Sequence, residues 1–145
     1  MNESTFLSGK VLKRSLPVVQ PPSSAEGPAL KRLLLPQGEL AQFYDGEEPL
    51  HYLAYIELRA GSVRGNHYHT TKQEWIYLVQ GEAVLGVEDI ETKAREMLPL
   101  KAGDLAFISP GVAHAIRTVQ PGHAIEFSST RFDAADIHRF PLKDF

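Results

Sequence analysis

Residues 61–81 read GSVRGNHYHTTKQEWIYLVQG and place three potential metal ligands close together in a chain rich in strand-forming residues. His67 and His69 are two residues apart, so on a strand of period two both imidazoles project from the same face. The polar tetrapeptide TTKQ predicts a turn that would pair the following EWIYLVQ antiparallel with the histidine strand. That pairing would bring the carboxylate of Glu74 beside the two imidazoles.

A fourth candidate ligand, His114, follows the turn-like SPGVA and opens the strand-like run HAIRTV. Three imidazole nitrogens and one carboxylate oxygen suit one divalent transition metal, and the sequence does not choose among Zn, Fe, Mn and Ni. An octahedral ion would keep two positions for water or substrate, whereas a tetrahedral zinc would be filled. Because the ligands are neutral histidines and an ionised glutamate, binding should weaken as the pH falls through about 6.

These two segments resemble the two motifs of the cupin superfamily. The first motif is matched by Gly61, His67, His69, Glu74 and Gly81, and the second by Gly103, Asp104, Pro110, Gly111 and His114. Ser109 stands where the family usually has proline, and Thr118 where it often has asparagine. The resemblance covers about residues 50–127 and implies a double-stranded β-helix, or jelly-roll barrel, with one metal held by His67, His69, Glu74 and His114.

Composition limits the classes of function. The chain has 145 residues, enough for one domain, and 15 Lys and Arg against 18 Asp and Glu give a net charge of −3. With no block of like charge, nucleic-acid and membrane-surface partners are disfavoured. The absence of cysteine excludes disulfides and thiol catalysis. The start MNESTFLSGK does not resemble a signal peptide, and no run approaches the ~20 apolar residues of a membrane span, so we expect a cytoplasmic protein.

Residues 1–28 differ from the rest because they are rich in proline. They predict an N-terminal arm ahead of a barrel over residues 29–145. The arm is either a flexible leader or a segment that packs Leu12, Leu16 and Val18 on its own barrel or on a neighbour's. Since cupins frequently dimerise by strand exchange, the resemblance also implies a homodimer.

The barrel region reads as strand, turn, strand, which favours an all-β fold. LHYLAYIEL carries apolar residues on both faces and predicts a sandwiched strand. The short Gln80-Gly81-Glu82 connection predicts a hairpin between EWIYLV and AVLGVED. Asp133 could cap a short C-terminal helix through AADIHRF.

Strand parity separates two faces around Glu74. If Glu74 points inward, Ile76 and Leu78 share its face, and Trp75 and Tyr77 take the outer face. These outer aromatic residues must then be covered by the N-terminal arm or by a second subunit, which favours a homodimer.

The segment RGNHYHTTKQE is similar in more detail to the carboxy-terminal cupin domain of bifunctional enzymes that make deoxysugar nucleotides for bacterial capsules. That resemblance implies a metal-dependent isomerase or epimerase of a sugar or nucleotide sugar. Arg64 would clamp a phosphate or carboxylate of an anionic substrate, and Lys72 would stabilise an enediolate or, with a lowered pKa, shuttle a proton. Tyr68 is a weaker acid–base candidate, because strand alternation turns it away from the two histidines.

Two other functions suit the same ligands. One is an iron or manganese dioxygenase of a small organic substrate, and the other is a non-catalytic metabolite-binding cupin. Arg64 and Lys72 favour an anionic ligand in any of these cases. The remaining histidines, His51, His123 and His138, lack such partners and are expected to be structural.

Overall fold

The computed structural model describes residues 2–20 and 27–145, and over these ranges nearly all regular structure is β. The strands are β1 (Asn2–Phe6), β2 (Val11–Ser15), β3 (Val18–Val19), β4 (Lys31–Leu35), β5 (Gly38–Gln42), β6 (Tyr52–Leu58), β7 (Val63–Tyr68), β8 (Glu74–Asp89), β9 (Arg95–Lys101), β10 (Asp104–Ile108), β11 (Val112–Ser128) and β12 (His138–Arg139). The all-β prediction is confirmed. No helix in the described ranges is long and apolar enough to cross a membrane.

The long strands β8 and β11 organise the barrel, because each contributes to both of its layers. They pair with each other antiparallel, with shifts of register near the middle. The first half of β8 pairs with β10 and its second half with β9, while β11 pairs first with β7 and then with β6. One layer is therefore β1-β2-β10-β8-β11-β6 and the other β9-β8-β11-β7-β12. Their inner faces enclose an apolar core that includes Ile56, Leu78, Leu85, Leu98, Ile108 and Ile116.

The predicted hairpin at Gln80-Gly81-Glu82 is wrong, because β8 runs without a break from Glu74 to Asp89. Gly81 has a φ of +100°, and a Cβ there would lie 2.6 Å from the carbonyl oxygen of Gln120. A glycine at this point lets the strand bend from one layer into the other where β11 comes close. The sequence correctly indicated a change of chain direction at Gly81, but the glycine bends β8 instead of ending it.

The predicted pairing of β8 with the histidine strand is also wrong. β11 lies between β7 and β8 and pairs with both. The TTKQ segment instead carries the chain from one layer to the other. Glu74 therefore faces the histidines across the interior of the barrel rather than along one sheet.

The N-terminal arm packs on its own barrel in the described residues. β1 and β2 form a hairpin, and β2 pairs with β10 so that Val11 lies opposite Ile108. Leu16 is buried, whereas Val18 is half exposed. Residues 21–26, which hold much of the proline-rich sequence, lie outside the described residues. The division at residue 28 and an exchange of arms stay predictions.

The outer face of β8 is covered by the same chain. Leu16, Leu105 and Phe127 form a second apolar cluster with Tyr77, and the ring of Phe43 stacks on Tyr77 at 4.3 Å. A second subunit is therefore not needed to cover this face, and the homodimer stays a prediction.

Strand β6 departs from the expectation of a sandwiched strand. Ile56 and Leu58 are buried, but Leu53 is 72% exposed and Tyr55 is 65% exposed. Strand β6 therefore has apolar residues on both faces, but one face packs in the core and the other is exposed to solvent.

The predicted C-terminal helix is reduced to one turn of 3₁₀-helix, Ala134–Asp136. Asp133 caps it as expected, accepting the backbone N–H of Ala135. The helix does not continue because the carbonyl of Asp136 binds His69 and β12 then pairs with β7. Bonds to β7 replace the bonds that a longer helix would make within itself.

Candidate metal centre

The structure brings the four predicted ligands together inside the barrel. His67 lies on β7 directly opposite His114 on β11, His69 follows the end of β7, and Glu74 begins β8 in the other layer. One potential ligand atom from each residue lies within 4.8 Å of the others. These four residues are called the metal cluster below, and their binding of a metal stays a prediction.

Main-chain carbonyls orient two of the imidazoles. His69 donates through Nδ1 to the carbonyl of Asp136 at 2.7 Å, and His114 through Nδ1 to that of Val112 at 3.1 Å. Because a carbonyl only accepts, each Nδ1 carries the proton and each Nε2 of a neutral ring presents a lone pair. Those Nε2 atoms lie 2.8 Å and 3.1 Å from the two carboxylate oxygens of Glu74.

This arrangement leaves an excess of electron pairs that a cation must balance. Two lone pairs and a carboxylate cannot approach so closely unless protons or a metal ion lie between them. A divalent transition metal fits this donor set, and the carbonyl bonds to Nδ1 are the outer contacts that metal-binding histidines usually make.

The electrostatics of the cluster favour charges of opposite sign on Glu74 and His114. Burial would raise the pKa of Glu74, but His114 and His69 outweigh it and hold that pKa well below its usual value. Burial would lower the pKa of His114, but the charge of Glu74 raises it overall. For His67, burial and the neighbouring His114 lower the pKa to about 4. At neutral pH His67 is therefore uncharged and able to act as a ligand.

Lys72 is buried next to the cluster and already has its counter-ions. Its Nζ lies 3.0 Å from Oε1 of Glu126, 3.4 Å from Oε1 of Glu74 and 3.8 Å from the centre of the Tyr52 ring. Burial lowers the pKa of Lys72, but Glu126 and Glu74 outweigh it and raise that pKa overall. The proton shuttle considered for Lys72 requires a lowered pKa, so its surroundings instead favour a permanent positive charge.

Glu126 lies against Lys72 beside the cluster, and the sequence interpretation did not include it. Burial, followed by the charge of Glu74, raises its pKa even though Lys72 opposes the shift. A signal was present, because Glu126 interrupts the apolar run AIEF on the same face as Ala124. The register shifts in β11 between Thr118 and Ala124 prevent a parity count from His114 to Glu126. Lys72, Glu126 and Tyr52 are called the lysine group below.

A β-bulge turns Arg64 toward the cavity. Simple alternation would place Arg64 and His67 on opposite faces, but Asn66 is left unpaired where β7 opposes β11. Gly65 and Asn66 have φ values of +96° and +57°, and a Cβ on Gly65 would lie 2.8 Å from the carbonyl oxygen of His114. Bulges beside active sites commonly redirect a side chain in this way. Arg64 donates to the carbonyl of Glu57 at 3.1 Å.

Tyr68 does not join the cluster. Its ring stacks on His138 at 5.0 Å and meets Phe140 edge-on at 6.1 Å, on the other face of β7. His51, His123 and His138 also lie outside the group of potential ligands found in the described residues.

One cavity joins these features. It has a volume of about 340 Å³, and its walls include the cluster residues His67, His69 and Glu74 together with Arg64, Tyr52, Lys72 and Glu126. The metal cluster and the charged side chains beside it can therefore contact one small molecule.

A model of the cupin domain matches residues 54–130, more than half of the chain. The chain belongs to the cupin family. The predicted superfamily is thus confirmed. No curated protein sequence matches the chain.

Several solved structures share the fold of this chain. ChmJ, a 3′-monoepimerase from Streptomyces bikiniensis in complex with dTDP-quinovose, is 13% identical, with a TM-score of 0.74 over 93% of this chain and 71% of that one. WlaRB, a TDP-quinovose 3,4-ketoisomerase from Campylobacter jejuni, is 16% identical, with a TM-score of 0.67 over 77% and 88%. The capsular polysaccharide assembling protein CapF from Staphylococcus aureus is 19% identical, with a TM-score of 0.60 over 84% of this chain and 35% of that one. At these identities the likeness establishes the fold.

Proposed function

We propose that this cupin is a metal-dependent isomerase or epimerase of an anionic sugar, such as a nucleotide sugar, and that His67, His69, Glu74 and His114 hold one divalent transition metal. The observation that carries the proposal is the convergence of three imidazoles on a single buried carboxylate, with one potential ligand atom from each of the four residues within 4.8 Å of the others. The likeness in fold to sugar epimerases and ketoisomerases supports the choice of substrate class. A metal bound there would polarise a carbonyl or hydroxyl of the substrate.

The lysine group would supply the proton transfer. An isomerase moves a proton from a carbon beside a carbonyl to the neighbouring carbon. The carboxylate of Glu126, with its raised pKa, is the better base among the cavity carboxylates because Glu74 belongs to the cluster. It would take the C–H proton, and the electron pair of that bond would form the carbon–carbon double bond of an enediolate while the carbonyl oxygen takes up the negative charge. The proton of the neighbouring hydroxyl group would pass to that oxygen, the second oxygen would become the new carbonyl, and the carboxyl group of Glu126 would return its proton to the former carbonyl carbon. The buried ammonium of Lys72 would stabilise the negative charge that develops.

Arg64 would bind the anionic part of the substrate. The bulge at Gly65 and Asn66 turns it to the cavity side. Among the described residues its side chain makes one hydrogen bond, to the carbonyl of Glu57, which leaves further guanidinium N–H groups for a ligand. A planar guanidinium binds phosphate or carboxylate in a bidentate manner.

Elemental analysis of the protein purified without added metal tests the first part of this proposal. We expect close to one transition-metal ion per chain, lost in His67→Ala and retained in His51→Ala, which removes an exposed histidine outside the cluster. A wild-type protein that contains no metal and takes none up on reconstitution would contradict the proposal.

A proton-exchange assay tests the second part. Nucleotide-linked keto sugars incubated with the enzyme in D₂O should gain deuterium at the carbon beside the carbonyl, as measured by NMR, and Glu126→Gln should abolish the exchange while metal content is unchanged. Bound iron or manganese with oxygen uptake and no deuterium exchange would favour the dioxygenase instead.

A further inference from the structure

Two large apolar side chains stand exposed at the opening of the cavity. Phe132 is 59% exposed and Ile137 is 40% exposed. Both border the cavity that holds the metal cluster and also a second cavity of about 250 Å³ beside it. They therefore form a wall between two spaces, either of which a ligand could fill.

The loop that carries this wall is firmly held. The carboxylate of Asp136 accepts the backbone N–H groups of Thr70, Thr71 and Lys72 and the hydroxyl of Thr70, and its carbonyl accepts from His69. An apolar pair on a segment tied so closely to a cluster residue is presented in a defined position, which is what a recognition surface requires.

The wall continues inward as an aromatic surface. The ring of Phe132 lies nearly parallel to that of Tyr52, with centroids 6.3 Å apart and an angle of 20° between planes. Tyr52 in turn contacts the ammonium of Lys72. The cavity thus has charged groups near the cluster and exposed aromatic faces at its opening, so its chemistry matches a ligand that is anionic at one part and flat and apolar at another.

We propose that Phe132, with Tyr52 and Ile137, recognises a planar ring joined to an anionic group, so that the ligand is a nucleoside diphosphate derivative rather than a simple sugar phosphate. Aromatic side chains stack on nucleobases because every base has a π-face. The inference rests on the proposed function, which supplies the anionic sugar as ligand. It adds that the wall would contact the ring of that ligand.

Calorimetric titration of the purified 145-residue chain with uridine 5′-diphosphate and with inorganic pyrophosphate separates the contribution of the ring from that of the charge. We expect the nucleotide to bind at least about tenfold more tightly than pyrophosphate, and Phe132→Ala to remove about that factor for the nucleotide while leaving pyrophosphate binding unchanged. Leu53→Ala, which truncates an even more exposed apolar residue, is the matched control and should change neither affinity.

Equal affinities for the two probes, or equal effects of Phe132→Ala and Leu53→Ala, would overturn the inference. So would a wild-type dimer that becomes monomeric in Phe132→Ala during analytical ultracentrifugation, because a second copy would then occupy the wall. None of these results depends on metal content or proton exchange, so the wall and the proposed reaction can fail separately.

Discussion

The metal cluster and the lysine group share one cavity but differ in how their charge is balanced. In the cluster, the Nε2 atoms of His69 and His114 face the carboxylate of Glu74, and either added protons on the imidazoles or a bound metal ion must balance its charge. In the lysine group, Lys72 provides the cation for Glu126 at 3.0 Å. The first is incomplete without an ion or added protons, and the second is complete as folded. Substitutions should therefore separate metal binding from the stability of the metal-free protein.

The largest expected effect is the loss of metal in Glu74→Gln. The side-chain amide can donate to an imidazole Nε2, so the cluster no longer requires a cation. We expect metal affinity to fall by more than the ~10–100-fold that loss of an outer contact causes, as measured by elemental analysis and calorimetry. Glu96→Gln, an exposed substitution, should leave affinity unchanged. A metal content in Glu74→Gln equal to that of the wild type would mean that the carboxylate of Glu74 is not what makes the cluster require a cation.

Lys72→Met should destabilise the fold without removing the metal. It leaves Glu126 and Glu74 buried without their shared ammonium, and such a loss costs about 3–5 kcal/mol. Urea unfolding of the metal-free protein at pH 7 measures this cost, and Lys72→Met combined with Glu126→Gln should recover much of it. Loss of metal in Lys72→Met would instead mean that the two groups act as one.

The contrast also explains what the sequence could predict. The metal cluster follows from local spacing, because alternation puts His67 and His69 on one face and the two matched motifs supply Glu74 and His114. The lysine group depends on tertiary pairing, since Lys72 and Glu126 are 54 residues apart. At two other positions the sequence indicated the correct turn or cap residue, but not the structure that the residue forms.

Gly81 and Asp133 illustrate this limit. A glycine between two apolar runs is typical of a hairpin, yet here the neighbouring β11 makes Gly81 a bend within one strand. Asp133 does cap a helical turn, but the bond from His69 to Asp136 ends that turn. In both places a contact with a distant segment decided the structure.

The bulge in β7 allows a smaller but sharper test. Gly65→Ala and Gly111→Ala both place a side chain at positive φ, +96° and +80°, but only at Gly65 would the new Cβ meet a neighbour, the His114 carbonyl at 2.8 Å. We expect Gly111→Ala to cost about 1–2 kcal/mol and Gly65→Ala about 1–3 kcal/mol more, by urea unfolding. Equal costs would mean that β7 can shift away from β11, and that the bulge does not hold Arg64 in place.

The smallest expected effect is a pH dependence of the metal-free protein that arises from His67. Its pKa is about 4 in the folded chain against 6.5 for the unperturbed group. Between these values the unfolded chain binds a proton that the folded chain does not, so His67 lowers the free energy of unfolding as pH falls from about 6.5 toward 4. Because His67 is only partly buried, we expect about 1 kcal/mol rather than the full value of the shift.

His67→Gln should remove that part of the slope, while the exposed His51→Gln should not. Urea midpoints of chelator-treated proteins at pH 7, 6, 5 and 4.5 measure the difference. A wild-type slope preserved in His67→Gln would mean that His67 takes up a proton as readily when folded as when unfolded. The metal-free cluster would then be protonated at mildly acidic pH. Protons would balance its charge much as Lys72 balances that of Glu126, and the contrast between the two groups would be small.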